Sequence, residues 1–397
     1  MLRPRGEGKM CAVAIARRHV VDPRKNMNET LARTPLYDWH ASHGGRMVEF
    51  AGWAMPVQYD SITAEHLATR TAAGLFDISH MGRLRFDGAG AAAFLDRLVT
   101  RRIADLRPGR IRYGLVTNEA GGILDDVLVY HLQDAAENSY HLLVVNASNR
   151  PKILAWLEPR LAAAEHVRLT DVTRDWAMLA VQGPRALELA QELVDVELAS
   201  LKYYTGCETR IAGHGIAGYG GIASRTGYTG EDGCELIVGS QAAPGVWQRL
   251  VDAGATPAGL GCRDTLRLEA AMPLYGHELS EQINPYQAGL AFAVDLEGRE
   301  FTGREALAAI AGDPKLPRRI GLELAGKRVP REGYPVLFEG RRTGEITSGT
   351  FSPTLEKPIA MAYVEPAAAA PGTELAVDIR GRQEPARVVE LPFYKRR

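Results

Sequence analysis

The chain has 397 residues, with 47 Lys and Arg against 48 Asp and Glu, for a formal net charge of -1. Hydrophobic residues make up 46% and charged residues 24%, an ordinary globular profile with room for two or three domains at roughly 100–200 residues each. The balance excludes the basic excess by which proteins hold nucleic acid or anionic membranes, and no apolar run approaches the ~18 residues of a membrane span.

In chain order, the first 30 residues hold seven basic residues, among them Arg17, Arg18, Arg24 and Lys25. They read either as an Arg-rich targeting segment or as a disordered or untranslated leader ahead of Met27, and the second reading is preferred. Residues 1–33 are therefore treated as leader. A helix is predicted over 61–73, opened by Ser61 with Ile62, His66 and Leu67 at helical spacing. Another is predicted over 90–99, with Phe94, Leu95 and Leu98 inward. Three β-rich runs follow at 111–116, 123–132 and 140–147, separated by turn-forming segments 118–122 and 134–138, which is a meander pattern. A helix opens at Pro151 with Ile153, Leu154 and Leu157 on one stripe, and Pro159 should end or kink it. Strand 177–182 leads into helix 184–197. Residues 207–239 read as Gly-rich strands and turns, 243–252 and 262–271 as helices, and 312–317 as a linker. Short strands punctuated by Pro and Gly from Arg319 to Phe393 predict a small β-barrel. The fold class is thus α+β over 34–311, followed by an all-β domain over 318–397.

Cys11, Cys207, Cys234 and Cys262 form no C-x-x-C pair, so neither a zinc knuckle nor a redox dithiol is encoded, and reduced thiols in a cytoplasm are expected. The ten histidines are scattered and give no metal-ligand spacing. Residues 213–218 match G-x-G-x-x-G by letter. The segment after them, Tyr219-Gly220-Gly221, opens no helix to hold a pyrophosphate, so a hairpin turn is the better reading. No phosphate-binding P-loop and no G-x-S-x-G elbow is present. Neither a metal nor a nucleotide cofactor is expected.

Three local features carry chemistry. In Gly121-Gly122-Ile123-Leu124-Asp125-Asp126-Val127-Leu128, two adjacent carboxylates lie in an apolar strand. Neighbours on a strand point to opposite faces, so either one is partly buried and needs a partner or both are hydrated at an edge. Arg263 and Arg267 share a helix face at i, i+4. Either they clamp a carboxylate or they pair with Asp264 or Glu269. In Arg225-Thr226-Gly227-Tyr228-Thr229-Gly230-Glu231-Asp232-Gly233-Cys234-Glu235, the glycines permit a tight loop. Glu235 there either faces inward, to accept from a heterocycle's amide and amine donors, or is solvated.

These segments resemble, in order, the aminomethyltransferases of the glycine cleavage system, the T-protein family. Further carriers are Thr34-Pro35-Leu36-Tyr37, Phe50-Ala51-Gly52-Trp53-Ala54-Met55-Pro56, Leu75-Phe76-Asp77-Ile78-Ser79-His80-Met81-Gly82 and Thr347-Ser348-Gly349-Thr350-Phe351-Ser352-Pro353. The match runs from about Thr34 to Phe393. The resemblance implies a three-domain folate-binding cloverleaf, two interwoven α+β domains and a C-terminal β-barrel around a central pocket. It implies transfer of a one-carbon unit from the aminomethyl-lipoyl arm of the H-protein to tetrahydrofolate, giving 5,10-methylenetetrahydrofolate and ammonia. It places the essential aspartate at Asp126 and folate contacts at Met81, Tyr113, Asn146, Tyr228, Glu235, Arg263, Arg319 and Tyr394. Gln287 stands where the family often has Glu. The location implied is cytoplasmic, of bacterial type, with a mitochondrial one second. Alternatives are a folate-binding relative of the iron–sulfur-cluster assembly type, which lacks the paired aspartates, a demethylating flavoprotein with a large flavin domain upstream, and a methyltransferase acting on another donor.

Overall fold

The computed structural model describes residues 31–134, 136–211 and 220–396. The G-x-G-x-x-G turn and the leader up to residue 30 lie outside them. Ala32 and Arg33, at the end of the expected leader, pair in parallel with Trp53 and Ala54.

Beside a three-stranded sheet of Ala32–Arg33, Trp53–Pro56 and Met47–Phe50, two larger sheets interleave between Gly74 and Pro257. A six-stranded sheet is ordered Gly206–Arg210, Gly220–Ser224, Gly233–Gly239, Trp176–Gln182, Gly74–Asp77, Thr256–Pro257. A five-stranded antiparallel sheet is ordered Ile111–Thr117, Ile123–Gln133, Ser139–Val145, Gly82–Asp87, Arg168–Asp171. The chain enters the first sheet at Gly74, crosses to the second over Ile78–Met81, and returns at Trp176. The buried Arg83 pins that crossing by donating to the carbonyls of Ser79 (2.9 Å), Met81 (2.5 Å), Trp176 (2.8 Å) and Thr173. Backbone carbonyls thus supply partners for both terminal nitrogens of this buried guanidinium.

Strand alternation assigns the faces. On Ile123–Gln133, Val127 and Val129 pack under the flanking helices Ala91–Asp96 and Arg150–Ala162, whereas Tyr130 and Leu132 face the six-stranded sheet. From that sheet, Phe76, Met178, Ala180, Ile222 and Ile237 meet them in a shared core. Its other face packs on helices Ala186–Gln191 and Ala243–Asp252 through Leu189, Val246 and Trp247.

From Arg318 to Val389 six strands close into a barrel. It docks on helix Leu260–Glu269 and the loop after it through buried polar bonds. Ser352 Oγ and Thr354 N donate to Glu269 (2.5 and 3.1 Å), Thr347 Oγ1 donates to Glu278 (2.6 Å), and Arg267 donates to Ser348 Oγ (2.8 Å). The architecture is the expected α+β cloverleaf. Two local expectations change. Helix 184–197 shortens to Ala186–Gln191. Pro159 sits inside helix Arg150–Ala162, because the carbonyl it leaves unbonded, that of Ala155, is on the solvent side, where both residues are exposed.

Candidate active site

Asp125 and Asp126 lie near the start of strand Ile123–Gln133, where the pairing with Ile111–Thr117 shifts register at Val116/Thr117. Such a bulge re-aims side chains. Gly122 before them is a close approach, since a Cβ there would lie 1.9 Å from the Glu281 carbonyl. The two carboxylates then part. Asp125 continues the face of Val127 and Val129 and is fully buried; Asp126 continues the inter-sheet face and is half-buried. The hydrated-edge reading does not hold.

Every contact of Asp125 is a nitrogen donor: Asn146 N (3.0 Å), Asn146 Nδ2 (2.8 Å) and Asn149 Nδ2 (2.6 Å). Asn146 Nδ2 also donates to Asp126 Oδ1 at 2.7 Å, and the Tyr113 hydroxyl donates to Asp126 Oδ2 at 3.2 Å. Burial pushes both carboxyls above the usual carboxylate range, and the neighbouring Asp126 charge raises Asp125 further. Tyr113, raised by its own burial and by Asp126, stays protonated as a donor.

Across the shared core, Glu235 is paired with Ala180 and Ser224 on the six-stranded sheet, on the face of Ile237. It is therefore inward, as one of the two sequence readings had it. Thr226 Oγ1 donates to its Oε2 at 2.5 Å. Burial pushes the Glu235 carboxyl up, while Thr226 and the Arg263 guanidinium pull it back. Arg263, on helix Leu260–Glu269, lies 4.8 Å from the centre of the Tyr228 ring. Its Nη1 is buried and has no partner among the described residues. Arg267, one turn on, is spent on Glu278 (2.7 Å), Asp264 (2.7 Å) and Ser348. The pair on one face thus divides into a structural arginine and one with a free donor.

Tyr228 donates to the Pro273 carbonyl at 2.5 Å, and the charges of both Asp126 and Arg263 act on it. Tyr204 is acted on by Glu235 and Asp126, and Met81, at the chain crossing, packs against the same shared core as Tyr204. Asp126, Tyr113, Asn146, Tyr228, Glu235 and Arg263 therefore belong to one electrostatic neighbourhood between the sheets, with Met81 packed against the shared core. Two other expected contacts lie where the barrel docks. Arg319 ties the first barrel strand to the carbonyls of Ala288 (2.8 Å) and Ala271 (2.8 Å). Tyr394 lies under the Arg70 guanidinium at 3.9 Å, and its N donates to the Glu269 carbonyl at 2.9 Å. Gln287 caps the loop before it by accepting from Asn284 N at 3.0 Å, a bond a Glu would also accept.

Sequence reasoning missed Asn149, Thr226 and Phe292. Asn149 carried a signal, three residues past Asn146 at a helix start. Thr226 had one only once the hairpin pairing was known. Phe292, 64% exposed and stacked on Tyr113 at 6.2 Å, had none. Among the described residues no cluster of His, Cys, Asp and Glu could hold a metal, and no helix is long and apolar enough to cross a membrane.

Residues 36–298 match the family model of the GCVT N-terminal domain and 318–395 that of the glycine cleavage T-protein C-terminal barrel domain. The chain belongs to the glycine cleavage T-protein family. It is 48% identical over 369 residues to an aminomethyltransferase of Rubrobacter xylanophilus, covering 93% of this chain and 95% of that one. It is 48% identical over 375 residues to an aminomethyltransferase of Streptomyces coelicolor, covering 92% and 98%. Among solved structures, the glycine cleavage system aminomethyltransferase T of Bartonella henselae superposes with a TM-score of 0.84 at 33% identity, covering 93% of this chain and 99% of that one.

Proposed function

We propose that the inter-sheet cluster is the site at which this aminomethyltransferase of the glycine cleavage system joins a one-carbon unit to tetrahydrofolate, with Asp126 as its catalytic carboxylate. The activity follows from the family. The residue roles, the H-protein as donor and a cytoplasmic setting are our reading, as is the division into residues 34–311 and 318–397. The reaction breaks the carbon–sulfur and carbon–nitrogen bonds of an aminomethyl thioether. Two folate nitrogens take the carbon, and their two protons leave with ammonia and with the thiol.

The residues suit such a co-substrate. A reduced pterin presents amide and amine donors beside a ring carbonyl. Glu235, with one bond from Thr226, keeps acceptor capacity for the donors. The buried, unpartnered Arg263 Nη1 is a donor that costs free energy unless a ligand meets it. Met81 and Tyr228 supply apolar and aromatic surface for a flat ring.

Positive charge develops on the carbon–nitrogen unit as ammonia leaves. An anion held in place before the reaction steadies that charge without reorganising. Asp126 fits that role and Asp125 does not: Asp126 is the member of the pair with solvent access, and its Oδ2 is held only by the long Tyr113 bond. This difference carries the proposal. Arg319 and Tyr394 are assigned to holding the barrel against the site rather than to folate. Relatives named aminomethyltransferase over more than nine-tenths of the chain favour this reading over a folate-binding non-enzyme. Measuring folate affinity and ammonia release for Asp126→Asn tests it: retained binding with lost release is expected, and retained release removes Asp126 from the chemistry.

A further inference from the structure

Asp125 has no part in that chemistry, yet it is held by three donors and hidden from water. A buried charge is expensive, and an apolar side chain of similar size is often as stable or more so. Its partners are all N–H groups, so a proton on Asp125 would meet only donors. These donors therefore favour the ionised form, against the burial and the Asp126 charge that raise the group. No cation offsets it directly. Arg150, on the adjoining helix, is spent on Asp171, and Lys152 on the Tyr275 hydroxyl (2.7 Å) and Glu281 (3.2 Å). The groups that act with Asp125 are thus Asp126 on its own strand, Asn146 and Asn149 on the turn, and Tyr275 on the loop after helix Leu260–Glu269. Tyr113, on the neighbouring strand, faces it only across Asp126.

The amide of Asn146 is the link. Its Nδ2 has two hydrogens, one directed to Asp125 Oδ1 at 2.8 Å and the other to Asp126 Oδ1 at 2.7 Å. Asp125 also accepts from the backbone N of the same residue, so it fixes Asn146 at two points. Asn149, three residues on, donates to the same Asp125 Oδ1 at 2.6 Å and holds that oxygen from a second side chain.

We propose that Asp125 is a positioning residue, a buried carboxylate whose nitrogen donors favour its ionised form, and that it holds Asp126 through the Asn146 amide and strengthens its grip on a positive charge and on a proton. The proposal rests on Asp126 being the group that faces the developing cation. The chemistry itself is unchanged; the second charge sets its strength and the pH at which it begins.

The test is the pH profile of single-turnover ammonia release by the full chain, with tetrahydrofolate affinity measured alongside. Asp125→Asn removes the charge and keeps the shape. The rate should fall about tenfold or more while folate affinity stays within about threefold, and the acidic limb should move down by about one pH unit. Asn149→Ala weakens the hold on Asp125 and leaves its charge, so the pair should take its first proton at higher pH and the limb should move up. Opposite movements are the signature, since a loss of packing alone would move neither limb. If Asp125→Asn folds poorly, the upward shift in Asn149→Ala supports the proposal, and an unmoved limb overturns it. An unmoved limb with a rate within about twofold of the parent in Asp125→Asn likewise overturns it. Retained release in Asp126→Asn would instead defeat the reading on which the proposal rests.

Discussion

Replacing Asp126 by Asn isolates charge from shape. An asparagine Oδ1 can keep the bond from Asn146 Nδ2, and its amide can donate to a Tyr113 hydroxyl that turns to accept. What is lost is an anion beside a developing cation. At a separation near 4 Å and an effective dielectric constant of about 20, that interaction is worth about 4 kcal/mol. Turnover should therefore fall by roughly three orders of magnitude. The assay is ammonia release from aminomethylated H-protein under single-turnover conditions, with tetrahydrofolate affinity measured by calorimetry and expected within about threefold of the parent. Stability supplies an independent check. Burial, and for Asp125 the adjacent Asp126 charge, raise both carboxyls in the folded state. A raised carboxyl favours folding below its unfolded value and loses that advantage as pH rises through the folded value. Asp126→Asn should therefore melt higher than the parent at pH 8, and the gap should close towards pH 4. A rate within about tenfold of the parent, or a melting gap that widens on acidification, would refute the reasoning.

The two arginines of helix Leu260–Glu269 should separate cleanly. Arg263→Ala should weaken tetrahydrofolate binding about tenfold or more with little change in melting temperature, because the lost donor has no protein partner; unchanged affinity by calorimetry would remove the assignment. Arg267→Ala should instead cost about 3–5 kcal/mol in urea unfolding, because Glu278 is left buried and unpaired. Burial alone would push Glu269 up, but the bonds from His66 and Ser352 and the Arg70 charge bring it down to about 2. Its contribution of about 3 kcal/mol is present above the unfolded value near 4.5 and fades as pH falls through 2. Glu269→Gln should thus be clearly less stable than the parent at pH 7 and converge with it near pH 2; a pH-independent difference would contradict this. Gly122→Ala should destabilise the chain and lower turnover, because its Cβ would meet the Glu281 carbonyl at 1.9 Å; parental melting and activity would show that the loop yields freely.

Much of the fold could be read from period and punctuation. The meander 111–147 and the Ser61 helix follow from alternation and capping, and Ser61 Oγ accepts from Ala64 N as a cap should. Alternation also carried part of the site. It required Asp125 and Asp126 to part, and it set Glu235 on one face of its strand. It could not say which face met the other sheet, because that depends on how the chain interleaves two sheets between Gly74 and Pro257. The contrast between Arg263 and Arg267 was hidden for a similar reason. Helical spacing makes them equivalent, and beyond the neighbouring Asp264 it is Glu278 and the barrel's Ser348, 11 and 81 residues away, that engage Arg267. Arg319 and Tyr394 show the converse. Family resemblance put them with folate, and no spacing rule showed that they also reach the carbonyls and the ion-paired Arg70 where the barrel is seated.

The most direct measurement is ammonia release from aminomethylated H-protein as tetrahydrofolate is titrated into the parent protein. The account predicts one ammonia per aminomethyl group, saturating with tetrahydrofolate and accompanied by 5,10-methylenetetrahydrofolate. Release that is absent, or that proceeds at the same rate without tetrahydrofolate, would contradict it.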